Sequence, residues 1–188
     1  MEQSWQHMDN TTPSERTSTL NFVQCLSMTE PAYFFMNLLS VADRLSDSNA
    51  IEPWKVVWLS GQVVKSINSA LNDPVRMHSP GVILAVGRIA LEEIVTGNRE
   101  VGEKYHRPAQ ARLIAMAGGL DAVGLPSMVY KHVCWADRVM TRITDLSMRD
   151  LDPRVKVDTR PSFGPQPKDR DLELLNRYRP ARRKNTQL

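Results

Sequence analysis

Residues 53–74 read PWKVVWLSGQVVKSINSALNDP, and this stretch decides the fold class. Trp54, Val57, Trp58, Gly61, Val64, Lys65 and Asn68 recur at intervals of three and four, with Val56, Val63 and Ile67 beside them. This is helical spacing, and the breadth of the apolar stripe predicts a helix buried on more than one side. Pro53 suits a first helical turn. Asn72-Asp73-Pro74 closes the helix, because the residue before a proline is pushed out of the helical region.

The same punctuation recurs on both sides. Upstream, Pro31 opens a helix over Ala32–Leu45, with Phe35, Leu38, Leu39 and Ala42 at helical spacing. Residues 20–28 are apolar enough for a short helix. Residues 1–20 are polar and rich in Ser and Thr, and read as a disordered leader. Downstream, Ser79-Pro80 is an N-cap followed by a first-turn proline, and Gly97-Asn98 is a stop. A fourth helix is expected over Pro108–Ala117, ending at Gly118-Gly119, and Pro126 opens a fifth. No segment alternates apolar with polar residues, and no hairpin turn dipeptide appears. The expectation is an all-α fold with about five principal helices in antiparallel hairpins. The domain is expected over 21–148, followed by a Pro-rich basic tail over 149–188.

The 188 residues carry a net charge of +3, unevenly spread. Residues 1–148 hold 13 Lys/Arg against 15 Asp/Glu, and residues 149–188 hold 11 against 6, so the basic character belongs to the tail. Arg177, Arg179, Arg182, Arg183 and Lys184 form a cluster suited to nuclear import or to phosphate contacts, or simply to solvation. No apolar run approaches the ~20 residues of a membrane span. The first twenty residues lack the basic start and apolar stretch of a signal peptide, so a soluble intracellular protein is expected. Two cysteines, Cys25 and Cys134, build neither a disulfide framework nor a multi-cysteine zinc site.

Nothing in the chain nominates catalysis or a cofactor. His7, His78, His106 and His132 have no second ligand at metal spacing. Glu92 and Glu93 diverge by about 100° on a helix, so they cannot share a proton, and each is expected on a solvated face or paired with Arg88 or Arg99. Asp137 and Arg138 read in the same way, as solvated or charge-paired. Gly118-Gly119…Gly124 lacks the strand and the Gly-Lys-Ser/Thr of a phosphate loop and reads as a helix-to-turn joint. Trp54, Trp58 and Trp135 are expected as core anchors; an exposed indole among them would point to a partner surface.

One ordered combination goes further. IALEEIVTGN (89–98) and HRPAQARLIAMAGGLDAVGLPSMVYKHVCWADRV (106–139) supply, in order, Glu93, Gly97, Asn98, His106, Arg112, Gly118, Gly119, Leu120, Gly124, Trp135 and Asp137. This pattern, over about residues 50–145, resembles the C-terminal regulatory region of fungal-specific transcription factors, the class that often carries a zinc binuclear cluster. The chain departs from it at Ala109-Gln110, where Gly-Leu is common, at Ala117, where Arg is common, and in lacking the six-cysteine cluster altogether. The resemblance implies an all-helical regulatory domain in the nucleus with transcriptional regulators as protein partners. It implies neither sequence-specific DNA binding nor catalysis. The competing expectations are a non-specific nucleic-acid binder acting through the basic tail and a small-molecule sensor with a pocket lined by tryptophans and methionines.

Overall fold

The computed structural model of the protein describes residues 12–48, 50–95 and 97–155. Among these residues every regular element is helical. The principal helices are α1 (Pro13–Thr29), α2 (Pro31–Asp47), α3 (Pro53–Leu71), α4 (Pro80–Val95), α6 (Arg107–Met116) and α7 (Ser127–Thr144). Two short helices join them: α5 (Arg99–Val101), which precedes α6, and α8 (Met148–Leu151), which follows α7.

Three of the helices start where a proline sits at the first turn after an extended residue. At α1, Thr12 and Glu15 add a capping box, each side chain bonded to the other's backbone N–H. This overrides the polar composition and makes a 17-residue helix that begins at Pro13, inside the stretch expected to be a leader. At α4, the Ser79 hydroxyl accepts from the Val82 N–H at 3.3 Å, as an N-cap should.

The helix expected to start at Pro108 begins earlier. Helix α4 ends at Val95, and Asn98 caps α5, its side chain accepting from the Val101 N–H. The chain then continues through a π-helical turn, Gly102–His106, into α6. Pro108 has no N–H and crowds the carbonyl four residues back. The π-helical turn accommodates it: the Arg107 N–H reaches the Gly102 carbonyl, five residues back, and the helix passes the proline unbroken.

Helix α4 is the centre of the molecule. Val82, Ile83, Ala85, Val86, Ala90 and Ile94 are buried all around it, and α2, α6 and α7 pack on it. Gly87 makes the approach of α6 possible: a Cβ there would fall 1.9 Å from Nε2 of the buried Gln110. Helix α3 is peripheral. It pairs along α2 and touches α4 only lightly, burying Leu59, Val63, Ile67 and Ala70. Its burial on several sides, expected from the sequence, is therefore not found; that position belongs to α4.

The core also passes residue 148. Ser147 and Asp150 form a second capping box on α8, and Met148 and Val155 are buried in the main cluster. The folded unit thus includes residues placed in the tail by composition. The Arg177, Arg179, Arg182, Arg183 and Lys184 cluster lies outside the described residues.

Candidate interaction surface

The positions singled out in the chain fall into separate joints between helices. At the end of α4, Glu93 turns back and its carboxylate accepts from the Asn98 N–H. Gly97 leaves room for it, since a Cβ there would lie 2.5 Å from Glu93 Oε2. Glu92 points elsewhere, pairing with Arg88 at 2.7 Å and accepting from the Ser40 hydroxyl of α2 at 2.9 Å. The two carboxylates diverge, as their adjacency on a helix demands.

A second joint was not legible as such. Arg107, next to His106, is 1% exposed. Its guanidinium donates to Asp137 Oδ1 at 2.8 Å and to the Thr141 hydroxyl at 3.0 Å, and also reaches Thr144. The same Asp137 oxygen accepts from the Met148 N–H at 3.0 Å. Asp137 is therefore not a solvated residue; it ties α6, α7 and α8 together. The signal was an i, i+4, i+7 row of acceptors on α7 (Asp137, Thr141, Thr144), but nothing in the sequence matched it to Arg107.

A third joint turns α6 toward α7. Gly118 and Gly119 have φ of 93° and 106°, and Gly119's N–H closes the helix end on the Ile114 carbonyl at 2.9 Å. Leu120 then plugs the core, fully buried. Trp135 is half-buried and stacks on His132, with ring centroids 5.6 Å apart. Burial above all, with Arg88 adding, holds the His132 pKa down at about 4. Burial likewise pushes the Cys134 thiol up, away from reactivity, while Cys25 is exposed. Arg112 is exposed. Glu93, Gly97, Gly118, Gly119, Leu120, Trp135 and Asp137 thus act as caps, turns, packing contacts or an ion-pair partner.

No His, Cys, Asp and Glu group among the described residues is arranged to hold a metal ion, and no helix among them is long and apolar enough to cross a membrane. An open depression before α3 is lined by Ala50, Ile51, Glu52, Pro53 and Lys55, with no tryptophan or methionine.

The feature that stands apart is the outer face of the α2–α3 pair. Trp54 is 63% exposed, Val57 72% and Trp58 52%. Two of the three indoles expected in the core, Trp54 and Trp58, lie in solvent, because the helix turns its other stripe, Leu59/Val63/Ile67/Ala70, inward. The outward stripe continues through Gly61, Val64, Asn68 and Leu71, all exposed. Helix α2 adds a second one, Phe34, Leu38, Val41 and Leu45, spaced by four, three and four. Phe35 links the helices, edge-on to Phe34 at 5.3 Å and to Trp58 at 6.2 Å. The exposed polar residues of the pair are Ser60, Lys65, Asn68 and Ser69 on α3 and Asn37, Asp43 and Arg44 on α2, while Lys55 is half-buried, paired with Glu52 and 5.6 Å from the Trp54 ring.

Two apolar stripes at heptad-like spacing form a surface that can bury apolar area against another helix. Patches of this extent are unusual on the free surface of a monomer. No family model matches the chain, no curated protein matches it, and no solved structure matches it.

Proposed function

We propose that this chain is a helical protein-interaction module of a transcription-regulatory kind, nuclear, with no DNA-reading element and no catalytic activity of its own. The observation that carries the interaction reading is the exposure of Trp54 and Trp58 on one face of α3. Large aromatic side chains held in water by a rigid helix lose little conformational entropy on binding and bury much area, which is why they dominate interface energetics. The transcriptional part rests on the ordered motif from Glu93 to Asp137 and on the basic cluster Arg177–Lys184. The structural roles of Gly118, Gly119, Leu120 and Asp137 explain how such a pattern makes a fold, and a fold alone names no partner.

The test is an affinity pull-down from nuclear extract of the native host with the full chain and with its Trp54→Ser/Trp58→Ser variant, read by mass spectrometry. Both positions are exposed, so the variant keeps its far-UV circular dichroism. Transcriptional regulators recovered by the parent chain and lost by the variant are the expected result. Recovery of nucleic acid alone, released by salt and unaffected by the variant, overturns the reading in favour of electrostatic binding through the tail.

A further inference from the structure

We infer that the outer face of α3 is covered by a second copy of this chain, its α3 lying antiparallel to the first about a two-fold axis at Gly61. This inference rests on the reading that the α2–α3 face is a contact surface, and it names the occupant.

The spacing supplies the first argument. Along the exposed side of α3, Trp54, Val57, Gly61, Val64, Asn68 and Leu71 follow intervals of three, four, three, four and three. This is the repeat that lets two helices mesh along a seam. The repeat is nearly symmetric about Gly61. Turned end for end about Gly61, it sets Trp54 level with Asn68, so the largest side chain faces a smaller one, and it places Val64 level with Trp58 and within one residue of Val57. A parallel pair would instead stack Trp54 on Trp54. The antiparallel pair also opposes the helix dipoles.

Gly61 supplies the second. It sits in the middle of a 19-residue helix, where glycine costs about 1 kcal/mol relative to alanine. Nothing inside the molecule needs its smallness: a Cβ at Gly61 would meet no atom within 4 Å. Gly81, Gly87, Gly97 and Gly102, by contrast, would each clash with a neighbour. At a two-fold crossing a glycine lets the backbones approach closely.

Area is the third. The apolar side chains exposed on α3 leave on the order of 500 Å² in water, and those of α2 add on the order of 300 Å². Together they match one partner's share of a standard interface, about 800 Å². An isologous pairing uses this same patch twice. The basic tail is the poorer occupant, since Lys65 is exposed on α3's outer face and Lys55 is already paired with Glu52.

The experiment uses the full chain in a Cys25→Ser background, because Cys25 is exposed and Cys134 buried. Light scattering after size exclusion at micromolar concentration is expected to give twice the chain mass, and Trp54→Ser/Trp58→Ser to return it to a monomer with unchanged circular dichroism. Under mild oxidation Gly61→Cys is expected to cross-link to its own copy, which requires Cα atoms within about 7 Å. Mixed Val57→Cys and Val64→Cys chains are expected to link to each other and not to themselves. A dimer in which Gly61→Cys fails to bridge, or in which Val57→Cys bridges to itself, overturns the arrangement. A monomer throughout overturns the second copy as occupant. The interaction-module reading still stands if the double tryptophan variant loses the pulled-down regulators, and falls with it if that variant loses nothing.

Discussion

Removing Asp137 strands a charge. In the folded protein the Arg107 guanidinium is 1% exposed, and its charge is balanced by the carboxylate at 2.8 Å. Asp137→Ala leaves it with the Thr141 and Thr144 hydroxyls alone, and its Nε–H already lacks an acceptor among the described residues. Breaking a buried pair by deleting one partner costs about 3–5 kcal/mol. The Met148 N–H, which also donates to Asp137, loses its acceptor, a further cost of about 1 kcal/mol where water does not replace it. The hydroxyls offset part of this, so a loss of about 3 kcal/mol is expected, a large share of a domain's 5–15 kcal/mol. Urea unfolding followed by circular dichroism reads it as a midpoint lowered by ~1–3 M. The decisive comparison is the double variant. Arg107→Met removes the stranded charge, so Arg107→Met/Asp137→Ala is expected to be more stable than Asp137→Ala alone. A single-variant loss under about 1 kcal/mol, or a double variant less stable than Asp137→Ala, would refute the assignment of Asp137 as the ion-pair partner on which α6, α7 and α8 depend.

Glycines at two sites should answer oppositely to alanine. Gly119 holds φ 106° and ψ 167°, a conformation closed to side chains, so Gly119→Ala is expected to cost about 1–3 kcal/mol. Gly61→Ala should stabilise the monomer by up to about 1 kcal/mol, and thermal melts at low concentration distinguish the two. Acid should weaken the fold through His132. The folded state keeps its imidazole neutral at a pKa of about 4, whereas the unfolded chain takes up the proton near 6.5. Stability is whole above about 6.5 and falls as pH drops toward 4, by at most about 3 kcal/mol. In His132→Phe this slope between pH 6.5 and 4, read from urea midpoints, is expected to flatten. Carboxylates held low by hydrogen bonds, Asp152 at about 2 and Glu15, Glu52 and Glu100, add a slope of the same sign below about pH 5, so the difference between the parent chain and His132→Phe isolates the imidazole. Thr12→Ala is expected to cost about 1 kcal/mol at the start of α1, seen as faster amide exchange over the first turns of that helix while α4 is unchanged.

The amino-acid sequence by itself determined where most helices stop and start, because those signals are local. A proline's fixed φ, a serine that caps, and glycines that alone tolerate a left-handed turn act within a few residues of themselves. Thr12-Pro13-Ser14-Glu15 was equally legible as a capping box, and polar composition obscured it. What the tertiary structure decided is direction. Helix α3 carries two apolar stripes, and periodicity cannot say which one meets the core; the small Ala70 beside Val63 and Ile67 packs against α2, and the tryptophans are left in water. It also decided partnership over distance. Arg107 and Asp137 are thirty residues apart, and Glu30, 4% exposed at the α1–α2 corner, pairs with Arg76 at 2.9 Å across forty-six. A charge can leave water only where the fold delivers its counter-charge, and no local pattern specifies that meeting.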